Sequence, residues 1–209
     1  MCFFTEQKGT RRNAKLRFNI GIDDEEKFLE SEYVEGWKFP NLPIIINETP
    51  EIISTNFEWG LMPGFKTDNE FRLKKINARI ETIDEKPSYK NVITNRCLII
   101  STSYFEWHWN DPKGISKTKY QIFSQDNEIF CFAGLYHKGV NPANGDRVNT
   151  FTMVTTEANE LMKYVHNHKQ RMPIMLNRND EAGWLDPAND IQNFAYPKYD
   201  ASIIAFPIE

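Results

Sequence analysis

The apolar positions of this 209-residue chain come in short runs, and most of those runs carry the period of strands rather than helices. "LPIIIN" and "NFEWGLM" are followed by "RCLIISTSYFEW", "KTKYQIFS", "EIFCFAGLY" and "NTFTMVTT", and then by "RMPIML". Each is rich in β-branched or aromatic residues, and "NDPKG", "SQDN" and "NPANGD" separate several of them as turns. Helical patterns are few. "DDEEKFLESEY" predicts a short helix with acids in its first turn. "PSYKNVI" predicts another, with Pro87 near its start. "TEANELMKYV" predicts a third, with Thr156 as N-cap, and "NDEAGWL" a last one. Strands in consecutive runs, with helices too sparse to cross over between parallel neighbours, predict one α+β domain over residues 1–209. Its β core is mostly antiparallel and barrel-like, with a few flanking helices.

Composition narrows the class. Hydrophobic residues make up 40% and charged residues 26%, which suffices for a packed core and excludes a disordered chain. The net charge of −4 argues against bulk affinity for nucleic acid. The charge is unevenly spread, however. Residues 21–60 hold ten acids and two bases, while residues 1–19 hold five bases and one acid. A local positive groove is compatible with that distribution. The three cysteines, with no CxxC, predict neither a disulfide framework nor a zinc site. Cys97 and Cys131 read as core strand positions. With no signal-peptide run and no stretch near ~20 apolar residues, a cytoplasmic, reducing location is expected.

Four polar sites interrupt or adjoin the apolar runs. In "INARIET", Asn77, Arg79 and Glu81 alternate, which places them on one face of an extended segment, where Arg suits a phosphate. In "YFEWHW", Glu106 stands between Phe105 and Trp107, so apolar surroundings should raise its pKa and suit it to proton transfer. "VHNHKQRMP" offers His166 or His168 as a proton donor beside a basic loop that includes Arg171. Its His-x-His spacing finds no third metal ligand, so no metal or other cofactor is expected. Trp59, Phe65, Trp107 and Trp109 supply aromatic faces for unpaired bases, with Phe65 on the turn of "EWGLMPGF". Finally, Cys2 follows Met1 directly. Removal of Met1 would leave a thiol and a free amine on one residue, a 1,2-aminothiol that closes a five-membered ring on an aldehyde.

Cys2 together with "EWGLMPGF", "INARIET", "RCLIISTSYFEW", "FAGLY", "TTEAN" and "RMPIML" resembles the SRAP family of SOS response-associated, abasic-site-processing proteins. The resemblance implies a single compact α+β domain with a groove for single-stranded DNA. It implies a monomeric DNA-damage enzyme, of a family classed with peptidases and hydrolases, that forms a covalent thiazolidine crosslink to abasic sites. A lyase-type side reaction at the 3′ phosphate is also implied. By the same resemblance Cys2 is the nucleophile, Asn77 orients its end of the chain, and Glu106 is the acid/base beside the amine. His166, with His168 as alternative, donates a proton to the sugar oxygen, while Arg79, Trp59, Phe65 and Arg171 meet DNA. The run Cys2-Phe3-Phe4-Thr5 departs from the family's usual pattern, which has an Arg shortly after the cysteine; Arg11 or Arg12 is the candidate replacement. A thiol peptidase acting on its own N-terminus is the competing reading of the same residues.

Overall fold

The computed structural model describes residues 3–63, 68–140 and 145–209. Two sheets dominate. The first has five antiparallel strands in the order Ile203–Ile208, Lys117–Ser124, Ser103–Trp109, Phe4–Gln7, Ser31–Glu35. The second, of eight strands, runs through Arg171–Pro173, Arg147–Glu157, Phe130–Val140, Arg96–Ser101 and Ile44–Ile46. The short strands Glu58–Trp59 and Asn77–Arg79 add to Arg147–Glu157 in parallel. The result is the expected α+β architecture, a curled half-barrel with few helices.

The continuous apolar runs have a simple cause. Strands of the larger sheet are covered on both faces, so neither face is free to be polar. In Arg96–Ser101, Cys97 and Ile99 enter one core and Leu98 and Ile100 the other. Phe130–Val140 divides in the same way: Phe130, Phe132 and Tyr136 point to the first core, Cys131, Ala133 and Leu135 to the second. The first core lies between the two sheets, where Tyr104 and Ile122 of the smaller meet Ile44 and Phe132 of the larger. The second lies beneath the larger sheet and is closed by Ala14, Trp184 and Phe194. Cys97 and Cys131 are fully buried free thiols, as their context predicts.

Several elements differ from the sequence reading. The run "DDEEKFLESEY" is no α-helix. Only Glu25–Lys27 forms a single 3₁₀ turn, capped by Asp24, and Ser31–Glu35 then pairs as an edge strand with Phe4–Gln7. Acids in a first turn favour a helix, but a free sheet edge offered this segment more hydrogen bonds. A helix does form at Arg11–Phe18, held by Thr10 as N-cap and Asn19 as a left-handed C-cap, with only Ala14 buried. Asn159, not Thr156, caps Glu160–Val165. "RCLIISTSYFEW" is two strands: the chain leaves the larger sheet at Ser101 and enters the smaller at Ser103. Pro87 starts its short helix as expected.

Gly134 lies opposite Cys97 on the neighbouring strand. A Cβ there would lie 2.7 Å from Cys97 Sγ and 2.8 Å from Ile99 Cδ1. Gly134→Ala is therefore expected to lower stability by about 1–3 kcal/mol through overpacking. Urea unfolding reads this directly, and an unchanged midpoint would contradict the contact.

Candidate active site

The strand Ser103–Trp109 presents two different faces. Phe105 and Trp107 look outward into an aromatic cluster: Tyr33 packs 5.2 Å from Phe105, Phe4 4.7 Å from Trp107, and the Lys119 ammonium lies 4.3 Å over the Phe105 ring. Tyr104, Glu106 and His108 look the other way, toward the helix Glu160–Val165. Tyr104 donates to Met162 Sδ at 3.4 Å, and His108 Nδ1 lies 2.6 Å from the Tyr164 carbonyl. Glu106 is thereby roofed by a helix and only 4% exposed. Burial disfavours its charged form and raises its pKa to about 7.

His166 is the residue at which that helix ends. Asn159 Oδ1 accepts from Met162 N–H at the helix start, and the His166 N–H reaches the Met162 carbonyl at 2.8 Å. The chain then turns back through Gln170, at a φ of +50°, into Arg171–Pro173. This loop folds over the imidazole. His166 Nδ1 lies 2.8 Å from the Arg171 carbonyl, which can only accept, so Nδ1 carries the hydrogen. Nε2 therefore turns its lone pair toward Glu106, with 3.6 Å between Nε2 and Oε2. Burial lowers the His166 pKa to about 4. The imidazole is thus neutral at physiological pH, and below pH 7 the proton of the pair resides on Glu106.

Arg171 has a different place from the one its sequence context suggests. It is buried, and its guanidinium holds Glu81 through two 2.9 Å bonds and the Thr155 carbonyl through a third. Burial acts upward on the Glu81 carboxyl, but the Arg171 guanidinium and backbone N–H groups, that of Glu157 among them, together outweigh it and hold the group below its ordinary value. So engaged, Arg171 is a post that fixes the loop behind His166 rather than a cation displayed to phosphate. Glu81 reaches it because the extended segment stops at Arg79 and turns into a 3₁₀ helix, so Glu81 leaves the face shared by Asn77 and Arg79. Asn77 is half-buried and Arg79 exposed. Trp59, read as a surface for bases, is wholly buried: its indole N–H donates to the Ile76 carbonyl at 2.9 Å, and its ring stacks on Phe151. No face remains for a base. Cys2 and Phe65 lie outside the described residues.

A cleft of about 480 Å³ opens onto Glu106 and His166. Phe3, Phe4, Trp107 and Trp109 form its apolar walls, and Lys117, Lys169 and His168 stand at its exposed rim. Of this rim, His168 and the basic loop that carries Lys169 were legible beforehand, whereas Lys117 on a hairpin strand looks like any solvated face. An acid that titrates near neutrality, beside a neutral imidazole in a desolvated recess, is suited to move protons to and from a bound carbonyl.

The raised pKa has a cost with a definite sign. Below about pH 4.5 the Glu106 carboxyl is protonated folded or unfolded. As pH rises to 7 the unfolded form ionises first, so stability is progressively lost. His166 acts oppositely between pH 4 and 6.5, because the unfolded chain then binds the extra proton. Glu106→Gln removes only the first effect. It is expected to be more stable than the native protein by up to about 3 kcal/mol at pH 8, with the difference vanishing near pH 4. Denaturant unfolding at the two pH values measures it, and equal stability at both would mean that the carboxyl is not strained.

Comparison with known proteins agrees with this architecture. The family model described as SOS response associated peptidase (SRAP) matches residues 1–208. The abasic site processing protein YoqW of Bacillus subtilis is 37% identical over 194 residues, covering 88% of this chain and 81% of its own. The abasic site processing protein HMCES of Gallus gallus is 27% identical, covering 66% of this chain and 47% of its own. A crystal structure of a protein from Bacteroides thetaiotaomicron superposes with a TM-score of 0.90 at 30% identity, over 100% of this chain and 92% of that one. The chain belongs to the SRAP family.

Proposed function

We propose that this protein processes abasic sites in single-stranded DNA by capturing their open-chain aldehyde on Cys2, once Met1 has been removed. The observation that carries the reading is the Glu106–His166 pair, buried at the base of a cleft whose wall includes Phe3. Phe3 is one residue from Cys2, and neighbouring Cα atoms are about 3.8 Å apart. The names of the bacterial and vertebrate relatives support the substrate class.

The chemistry balances without a cofactor. Protonation of the sugar ring oxygen opens the hemiacetal. The Cys2 amine adds to the C1′ aldehyde, and the carbinolamine loses water to give an imine. The sulfur then adds to the imine carbon while its proton passes to nitrogen, closing a thiazolidine. One C–N and one C–S bond form, and one water leaves. Glu106 holds the mobile proton at neutral pH. His166 Nε2 can receive it and, as an imidazolium of low pKa, surrender it readily to the sugar oxygen. If the imine eliminates the 3′ phosphate before sulfur adds, strand cleavage of the β-lyase type follows. The rim lysines and the exposed Arg79 supply positive charge for the backbone of an otherwise acidic protein.

Incubation with a single-stranded oligonucleotide bearing a natural abasic site is expected to give a species that survives denaturing electrophoresis, and Cys2→Ala to give none. Intact mass should show loss of Met1 and an adduct one water lighter than the sum of the reactants. An equal adduct from Cys2→Ala would reject the reading, while release of Met1 without an aminopeptidase would favour the peptidase alternative.

The same assay run against pH tests the proton donor. The acid form of Glu106 fades above about pH 7, whereas the free amine gains above pH ~7.7–8. A bell-shaped rate with its maximum between them is expected. Glu106→Gln should lower that maximum by about 10²-fold or more and remove the falling limb.

A further inference from the structure

At the rim of the cleft Trp109 is held between two neighbours. The hairpin that follows it turns through Gly114, at a φ of +65°. A Cβ at Gly114 would stand 2.6 Å from Cδ2 and Cε3 of Trp109, so the glycine lets the backbone lie against one face of the indole. On the other face lies His168, its ring centroid 3.6 Å away and its plane within 7° of parallel. Asn167 locks the layer in place. Its side-chain amide donates to the Trp109 carbonyl at 3.0 Å and accepts from the Trp109 N–H at 3.0 Å. The outer side of this stack is an imidazole that is exposed to solvent, yet fixed in orientation.

That geometry is not needed to position His166, which is fixed by its own helix and by the Arg171 carbonyl. Its chemistry fits a different task. An abasic site deprives the neighbouring base of one stacking partner. A flat π surface, already ordered, replaces that partner at little cost in conformational entropy. We propose that the outer face of His168 is a stacking shelf for the base that flanks the reacting sugar, with Lys117 and Lys169 meeting the adjoining phosphates. The inference rests on the abasic-site reading of the cleft and names the part of the DNA that the cleft rim recognises. A purine offers the larger surface to the shelf, so it is preferred over a pyrimidine on one side of the lesion.

The test uses a fluorescein-labelled single strand carrying a tetrahydrofuran abasic analogue, which has no aldehyde and cannot crosslink. Anisotropy is expected to show that His168→Ala weakens binding about tenfold. His168→Phe, which keeps the flat face and loses the nitrogens, should bind as the native protein does. The native protein should also favour a purine over a pyrimidine at one flanking position, and His168→Ala should lose that preference. Unchanged binding by His168→Ala overturns the shelf. So does equal weakening by His168→Phe, which would assign the contact to the ring nitrogens. The native protein is run in parallel on a natural abasic strand: failure to crosslink there defeats the functional reading, whereas crosslinking with unaffected His168→Ala binding defeats the shelf alone.

Discussion

The bond from His166 Nδ1 to the Arg171 carbonyl decides what the rest of the site can do. It fixes the tautomer, and through it the lone pair that faces Glu106. It also depends on structure well away from the cleft. Arg171 keeps its backbone in place because its own guanidinium is bound to Glu81 and Thr155. Thr155 in turn donates its hydroxyl to the Ala78 carbonyl on the strand that bears Asn77 and Arg79. Three segments far apart in sequence are thus tied by one buried cation. Removing that cation would leave the Thr155 carbonyl without its guanidinium donor and the Glu81 carboxylate without its counter-charge, which is costlier than the net worth of the bonds themselves.

The paired groups are displaced in opposite directions by one cause. Desolvation makes charge expensive, so the carboxyl holds its proton and the imidazole refuses one. The neutral pair is the resting form, and its tautomer, imidazolium and carboxylate, carries the same net charge, so a proton can move between the two groups without the site changing its net charge. A water-filled recess would return both groups to ordinary behaviour. The aromatic wall is consequently part of the acid–base chemistry, and the stability given up by burying a carboxyl is a functional feature of the fold.

How far the sequence revealed this depended on whether a residue broke its local pattern. Glu106 was legible because a carboxylate inside "YFEWHW" contradicts its neighbours. His166 was legible as one of two, and only the end of the helix separates it from His168. Arg171 and Trp59 misled for the same reason: their types suit DNA, and nothing local reports that Glu81 or Phe151 will reach them first. Partners distant in sequence cannot be inferred from periodicity. The helix Arg11–Phe18 escaped notice because it buries only Ala14 and so carries no apolar stripe. The acidic run at residues 23–33 misled because an unpaired sheet edge outweighs a weak helical preference.

The polar seam between the sheets explains why a chain start should be so well placed. Termini ordinarily fray. Here Phe4–Gln7 lies between two strands, and its register is pinned by side chains as well as by the ladder. Thr5 donates to the Ser103 carbonyl at 2.8 Å, Ser103 Oγ donates to the Glu6 carboxylate at 2.7 Å, and Ser101 Oγ donates to the Glu6 carbonyl at 2.7 Å. These are the residues at which the chain crosses from one sheet to the other. A slip of one residue would turn Thr5 and Glu6 to the opposite faces of the strand, breaking the whole set. Buried polar groups that are all satisfied specify geometry more than they add stability. At this seam the geometry specified is the position of Phe3 on the wall of the cleft that Glu106 also lines.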